Sequence, residues 1–123
     1  MTKTYAAGIL ISALAFGTVA AFAATPEPAK LMGKVWVDAK GMSLYTFDKD
    51  TVGKSNCNDK CATAWPPLMV APNSLASGDW TIVARDDGSK QWAYEGKALY
   101  LWIKDKKPGD VTGDGVNGFH LAK

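Results

Sequence analysis

The sequence predicts a small all-β domain, an antiparallel sandwich or partly closed barrel made of two repeats, with at most one short helix near residues 58–65. The first observation behind this prediction is a repeated phrase, since residues 41–50 read GMSLYTFDKD and residues 96–105 read GKALYLWIKD. The shared positions are a glycine, a Leu-Tyr pair, a second aromatic residue and an aspartate. The other observation is the alternation of apolar and polar residues in short runs bounded by Gly, Asn and Asp, which is typical of strands joined by tight turns.

The first 23 residues have the features of a secretory signal peptide. Lys3 precedes an uncharged apolar run, and Ala21-Phe22-Ala23 has the small-x-small pattern of a cleavage site. We therefore predict a signal peptide at 1–23, a flexible lead-in at 24–30 and a single β domain at 31–123. The apolar run is shorter than the roughly 20 residues of a spanning helix, so no membrane span is expected after cleavage. No cysteine at the cleavage point offers a lipid-attachment site, and we expect a periplasmic or secreted protein.

The charge balance argues against nucleic-acid binding. The chain has 14 Lys and Arg against 12 Asp and Glu, a formal net charge of +2. A nucleic-acid-binding protein normally needs a concentrated basic face, and the one local cluster, Lys104, Lys106 and Lys107, is interrupted by Asp105. We predict a monomer whose partner is an envelope protein or a small ligand, with no nucleic acid.

The first repeat, at about residues 34–67, begins with a predicted β-hairpin. Residues 34–38 (KVWVD) and 42–48 (MSLYTFD) alternate in polarity around a glycine-containing turn. Because successive strand side chains point to opposite faces, we expect Leu44 on one face and Tyr45 and Phe47 on the other. A polar loop follows, and then one or two helical turns with Asn58 or Asp59 as N-cap before Pro66-Pro67.

The second repeat, at about residues 80–122, has the same plan. Residues 80–85 (WTIVAR) and 90–94 (KQWAY) predict paired strands around a tight turn, and residues 98–103 predict the strand that carries the second copy of the phrase. A glycine-rich loop leads to a short closing strand at 118–122. Six to eight strands are expected in all.

These motifs resemble a family of small secreted bacterial proteins, often lipoproteins, with repeated Tyr-x-(Phe/Trp/Tyr)-x-x-Asp motifs, described as secreted repeats of unknown function. The resemblance rests on residues 44–51 with 53–57, on CATAWPPL at 61–68, on QWAY at 91–94 with 96–102, and on Asp105, PGDVTG at 108–113 and Phe119-His120. It covers nearly the whole mature chain but implies no settled activity and no site residues. The lipid-accepting cysteine of the lipoprotein members is missing here, which implies a soluble exported form.

Cys57 and Cys61 are the only cysteines, and an even pair in an exported protein predicts a structural disulfide. The alternative is a soft-metal or redox site formed by Cys57, Cys61 and His120, because thiolates and imidazole suit copper. We favour the disulfide and assign no cofactor.

Two acidic, glycine-rich loops follow the two copies of the phrase. Asp48, Asp50, Gly53 and Asp59 partly resemble a calcium loop, although Val52 stands where a ligand is needed. The favoured interpretation is that Asp50 and its counterpart in the second repeat accept backbone hydrogen bonds and stabilise their own turns.

No motif of a known catalytic class is present, and His120 has no identifiable partner, so we predict that the protein is not an enzyme. The aromatic residues form either the core or an exposed platform for a flat ligand, and a domain of this size favours the core. This set is Trp36, Tyr45, Phe47, Trp65, Trp80, Trp92, Tyr94, Tyr100 and Trp102. We predict a non-enzymatic binding or interaction protein of the cell envelope. Its repeat-motif residues are Tyr45, Phe47, Asp50, Tyr100, Trp102 and Asp105.

Overall fold

The computed structural model describes residues 27–123, and the predicted signal peptide lies outside these described residues. The strands are β1 (Lys30–Met32), β2 (Val35–Val37), β3 (Tyr45–Phe47), β4 (Trp80–Ala84), β5 (Lys90–Tyr94), β6 (Lys97–Ala98) and β7 (Phe119–Leu121). One helix, α1 (Lys60–Ala64), lies between β3 and β4. Within residues 27–123, the predicted all-β class, the number of strands and the short helix near residues 58–65 are confirmed. In the described part of the chain, no helix is both long and apolar enough to cross a membrane.

All strand pairs are antiparallel and form three small sheets, β1-β2, β3-β7 and β4-β5-β6, rather than a closed barrel within residues 27–123. The two-residue turn between β5 and β6 consists of Glu95 and Gly96, whose φ angles of 52° and 83° suit a tight hairpin. The closing strand β7 pairs with β3, which is distant in the chain.

The two repeats exchange their closing segments. In one ring of three 2.9 Å hydrogen bonds, the Trp36 N–H donates to the Ala122 carbonyl, the Ala122 N–H to Leu44, and the Leu44 N–H to Trp36. A second ring has the same form, with distances of 2.8–3.0 Å, and joins Trp92, Leu68 and Leu99. Ala122 ends the second repeat but completes the ring of the first. Leu68 follows directly on the first repeat but completes the ring of the second. The repeats therefore form one interlocked domain.

Two hydrophobic clusters lie on opposite faces of the strands that carry the repeated phrase. The first cluster contains Leu44 and Leu99, together with Ala29, Trp36, Leu68, Trp80, Trp92 and Ala122. The second cluster contains Tyr45 and Tyr100, together with Cys57, Trp65, Ala98, Trp102 and Phe119. Leu44 and Tyr45 lie in different clusters, which confirms the predicted alternation of adjacent strand residues between opposite faces.

Two local features differ from the sequence predictions. β1 begins at Lys30, and Ala29 is already part of the first cluster, so β structure starts inside the segment assigned to the lead-in. Asp59 occupies the N-cap position of α1 with a φ of 55°, but its side chain makes no capping hydrogen bond. The first turn of this short helix is therefore not held by the predicted side-chain cap.

Candidate functional site

The repeated motif assembles two crossed tyrosine–aspartate hydrogen bonds. Oη of Tyr45 donates to Oδ2 of Asp105 over 2.7 Å, and Oη of Tyr100 donates to Oδ2 of Asp50 over 2.6 Å. The two tyrosines also exchange backbone N–H···O bonds of 2.8 and 2.9 Å. Each repeat thus supplies the tyrosine that binds the aspartate of the other, and both tyrosines are 0% exposed.

The second oxygen of each carboxylate holds the loop that follows it. Oδ1 of Asp50 accepts the N–H of Asn56 over 2.7 Å. Oδ1 of Asp105 accepts the N–H and the hydroxyl of Thr112 over 2.9 and 2.7 Å. The interpretation that these aspartates stabilise their own turns is therefore confirmed, and protein donors occupy both oxygens of each of these two carboxylates.

Each of these loops also covers the turn that begins the other copy of the phrase. Gly41 has a φ of 85°, and a Cβ there would lie 3.2 Å from Cβ of Pro108 in the second loop. Gly96 has a φ of 83°, and a Cβ there would lie 3.0 Å from Cγ1 of Val52 in the first loop. Positive φ and this close approach both favour glycine at the first position of the phrase.

A buried arginine supports the Tyr100–Asp50 pair. Arg85 is 5% exposed, and its guanidinium donates to Oγ of Ser55 over 3.0 Å and to the carbonyl of Cys57 over 2.6 Å. Ser55 Oγ lies 2.6 Å from Oη of Tyr100. Because the tyrosine hydroxyl donates to Asp50, the serine hydroxyl donates to the tyrosine. A chain of hydrogen bonds thus runs from the guanidinium to the carboxylate.

The Tyr45 hydroxyl has a different neighbour, since it accepts the backbone N–H of Gly113 over 3.1 Å. A Cβ at Gly113 would lie 2.7 Å from the ring of Trp65 and 2.9 Å from that of Trp102. Trp65 is itself stacked between Trp102 and Phe119, with ring centroids 4.0 and 3.8 Å away. This packing leaves no room for a side chain at the position that donates to Tyr45.

Burial raises the pKa of both motif tyrosines well above their ordinary value of 10.0, and the hydrogen bonds to Asp105 and Asp50 add to the shift. Burial also raises the pKa of Asp50. These groups face one another in the interior of the domain. The repeat motif is thus a packing and hydrogen-bonding unit that joins the two repeats.

Cys57 and Cys61 form a disulfide with a sulfur–sulfur distance of 2.00 Å, which confirms the predicted pairing. His120 lies on β7, and its Nε2 is 2.8 Å from Oδ2 of Asp48. The structure does not assemble Cys57, Cys61 and His120 into a common site. Within residues 27–123, no three or more His, Cys, Asp and Glu side chains are grouped to hold a metal ion.

Most of the predicted aromatic set is core. Phe47 and Tyr94 are half-buried, and Phe47 stacks on Phe119 with centroids 4.2 Å apart. The buried members are Trp36, Tyr45, Trp65, Trp80, Trp92, Tyr100 and Trp102. The core interpretation is therefore confirmed for these residues, and no broad exposed platform forms in the described part of the chain.

Four of the rings, those of Trp36, Trp80, Trp92 and Tyr94, border a surface cleft of about 350 Å³. Trp36 and Trp80 meet edge to face with centroids 5.4 Å apart, and Tyr94 lies 4.7 and 4.8 Å from them. We call this the aromatic cleft, and its principal lining residues are Trp36, Trp80, Trp92, Tyr94, Glu27 and Asp79. It lies beside the first hydrophobic cluster, away from the tyrosine–aspartate pairs.

A second cleft, of about 370 Å³, adjoins the aromatic cleft at Trp36 and Tyr94. We call it the histidine cleft, and the charged residues that line it are Asp48, Glu95, Lys97, His120 and Lys123. The aromatic cleft carries carboxylates, whereas the histidine cleft has groups of both signs. The two clefts thus offer different chemistry on either side of one aromatic pair.

Sequence reasoning missed the buried polar residues and the carboxylates of the aromatic cleft. Arg85 also donates to Oε1 of Gln91 over 2.7 Å, and nothing local marks either residue as buried. Asp79 was within reach of prediction, because it directly precedes Trp80 and that tryptophan pairs with Tyr94 across the hairpin. The pairing places the carboxylate at the aromatic end of the sheet.

The crossed tyrosine–aspartate pairs and the exchanged closing segments define a class of protein, a single β domain built from two interlocked repeats. The chain belongs to a family described as a secreted repeat of unknown function, which matches residues 30–69 and 81–120. The two matched segments contain the two copies of the phrase, so the resemblance noted in the sequence is confirmed. No curated protein and no solved structure matches the chain.

Proposed function

We propose that this member of a secreted family is a non-enzymatic binding protein of the cell envelope, and that its ligand occupies the aromatic cleft. The observation that carries the proposal is the concave surface beside Trp36, Trp80 and Tyr94, with a volume of about 350 Å³. Small-molecule sites are concave and mostly apolar, have volumes of roughly 300–1,000 Å³, and contain a few polar groups that orient the ligand. The aromatic cleft has each of these properties.

The distribution of polar partners supports this choice of face. On the motif side, the tyrosine hydroxyls and the carboxylates of Asp50 and Asp105 bind one another and leave little for a ligand. On the cleft side, Asp79 and Glu27 form no salt bridge within residues 27–123. Polar groups without a protein partner are available to a ligand.

The proposal gives His120 no acid–base role. Its imidazole is paired with Asp48 at 2.8 Å, and about half of each side chain faces solvent. A general base must be positioned within hydrogen-bond reach of a substrate proton, and the His120–Asp48 pair is open to solvent. We therefore propose that the histidine cleft catalyses no reaction and that the ligand is held by the aromatic cleft.

The location in the envelope is tested by cell fractionation and intact mass. We expect the exported protein to begin at Ala24 and to weigh two hydrogens less than the reduced chain, because Cys57 and Cys61 are bonded to each other. A chain that retains the leader, or that stays in the cytoplasm, contradicts the envelope assignment.

Binding is tested by fluorine NMR of the protein labelled with 5-fluorotryptophan, since its five tryptophans give five resonances. Trp36, Trp80 and Trp92 line the aromatic cleft, whereas Trp65 and Trp102 lie in the second cluster and serve as internal controls. The probes are purified glycan fragments, peptides and small organic ions of the envelope. We expect at least one class to shift the first three resonances and to leave the last two unchanged.

Two variants connect the signal to the cleft. Tyr94→Ala removes the half-buried ring of the cleft and is expected to abolish the shifts. Ile103→Ala removes an apolar side chain that is 50% exposed and lies outside both clefts, and is expected to retain them. Equal responses from both variants, or no response of the wild type to any class, contradict the proposed function.

A further inference from the structure

We infer that the aromatic cleft binds an organic cation, with an alkylated ammonium group held against its rings and beside its carboxylates. The inference rests on the proposed function and narrows its ligand to one chemical class. Quaternary and alkylated ammonium groups are recognised by aromatic faces, whose π-electrons attract positive charge. Nearby carboxylates strengthen this attraction where water is partly excluded.

The rings provide the first part of such a site. Trp36 and Trp80 meet at an interplanar angle of 88°, and Tyr94 is tilted by 47° and 53° against them. Rings at these distances touch one another, so a cation would lie on the outer surface of the group, against the accessible ring of Tyr94, rather than between the rings. Tyr94 is the most accessible of the three, while the tryptophans contribute the floor of the cleft.

The carboxylates provide the second part. Glu27 and Asp79 line the aromatic cleft, and among the residues that the structure describes no lysine, arginine or histidine lines it. The whole chain has a formal net charge of +2, so this cleft is negative on a chain with a positive excess. The same negative surroundings act on Tyr94, because burial and then the charges of Glu95, Asp79 and Glu27 raise the pKa of its phenol.

The adjoining histidine cleft lacks this combination. Lys97, His120 and Lys123 line it together with Asp48 and Glu95, so charges of both signs are close to one another. Trp36 and Tyr94 are common to both clefts, but Trp80, Trp92 and Asp79 line the aromatic cleft only. A cation therefore finds its best surroundings in the aromatic cleft.

The test compares choline with 3,3-dimethylbutan-1-ol, a neutral alcohol of the same shape, in the 5-fluorotryptophan NMR assay. We expect choline to shift the resonances of Trp36, Trp80 and Trp92 saturably while those of Trp65 and Trp102 stay in place. The neutral alcohol is expected to bind at least about fivefold more weakly, because it lacks the charge that the rings and carboxylates attract.

Matched carboxylate variants locate the charge effect. Asp79→Asn is expected to weaken choline binding by about threefold or more, since it neutralises a carboxylate of the cleft. Asp87→Asn makes the same chemical change at an exposed residue that lines neither cleft, and is expected to leave the affinity unchanged. Unshifted Trp65 and Trp102 resonances in both variants show that each is folded.

The outcomes separate this inference from the proposed function. Equal binding of choline and the neutral alcohol, or equal affinities in Asp79→Asn and Asp87→Asn, overturns the cation assignment and leaves an apolar binding cleft. An absence of choline binding at its highest usable concentration also overturns the inference, and the wider set of envelope compounds then decides the proposed function. Choline-specific shifts that Asp79→Asn weakens support it.

Discussion

The two tyrosine–aspartate pairs of the domain have the same geometry but different surroundings. Asp105 accepts three hydrogen bonds, one from Tyr45 and two from Thr112, and all of these donors are neutral. Asp50 accepts one bond from Tyr100 and one from Asn56, and the guanidinium of Arg85 is linked to it through Ser55 and Tyr100. Both repeats thus contribute to a tyrosine–aspartate pair, but different residues support the two pairs.

This difference shows two ways of keeping a carboxylate inside a protein. Burying a charge is costly unless hydrogen bonds or an opposite charge compensate for the lost water. One pair is compensated by the number of its neutral donors, and the other by fewer donors and a nearby buried cation. The Arg85 side of the domain therefore depends on a single residue that has no counterpart among the donors to Asp105.

Replacing Arg85 is expected to have the largest effect on stability of the changes that test the difference between the two pairs. We expect Arg85→Met to lower the free energy of unfolding by about 3 kcal/mol or more, because hydrogen bonds to a charged donor are worth about 1.5–3 kcal/mol and their buried acceptors are left unpaired. Urea denaturation measures the change. Lys54→Met is the control, since that lysine is half-exposed and pairs with Asp86 at the surface. Equal effects of the two variants contradict a buried structural role for Arg85.

Removing the two motif hydroxyls tests the pairs directly. We expect Tyr45→Phe and Tyr100→Phe each to cost about 2 kcal/mol of unfolding free energy, because each removes a buried hydrogen bond to a carboxylate. The loss at Tyr100 is expected to be the larger, since Asp50 retains one donor and Asp105 retains two. A larger loss at Tyr45, measured by urea denaturation, contradicts the proposed difference between the pairs.

The dependence of stability on alkaline pH tests the same two tyrosine hydroxyls without a mutation. In the folded protein the pKa of both motif tyrosines is raised above 10.0. Above that pH the unfolded chain loses these protons and the folded chain keeps them, so the free energy of unfolding falls as pH rises. The slope is about 1.4 kcal/mol per pH unit for each tyrosine until its raised folded pKa is reached.

Urea denaturation of the wild type and of Tyr100→Phe, between about pH 9 and pH 11, measures this slope. We expect the slope of the variant to be smaller by the contribution of one tyrosine. Tyr94 also has a raised pKa and contributes to the slope that remains. Identical slopes in the two proteins contradict a buried, protonated Tyr100.

Local pattern was enough to predict the strands and the faces of Leu44 and Tyr45, because alternation depends only on neighbours in the chain. The bond between Tyr45 and Asp105 was not predictable in this way, since it depends on which strands become adjacent after folding. The same limit applies to β7, which pairs with β3 although the chain between them forms four other elements. The repeated phrase in the sequence revealed the repeating unit, but not that the two repeats exchange their closing segments.

The buried charge and the clefts were hidden for a further reason. Arginine is almost never fully buried unless it is paired, so Arg85 at the end of a strand reads as a surface residue. The aromatic cleft forms where the segment at Glu27, Trp36 of β2 and the β4–β5 hairpin meet, and composition alone does not distinguish a tryptophan in a core from one beside a cleft. The position of Asp79 beside the aromatic rings becomes evident only when the pairing of Trp80 with Tyr94 is known.

The contact between Asp48 and His120 provides an exposed pair to compare with the buried tyrosine–aspartate pairs, because it also joins the two repeats but is open to solvent. We expect His120→Ala to change the free energy of unfolding by about 0.5 kcal/mol or less, since exposed ion pairs contribute little after screening by water and salt. The distance of 2.8 Å is close to the 2.7 Å of the Tyr45–Asp105 pair, but this pair is exposed and its side chain is an imidazole rather than a phenol. Urea denaturation beside Tyr45→Phe measures the contrast. The variant is also expected to keep the fluorine NMR response of the aromatic cleft, and loss of that response assigns His120 to the binding site.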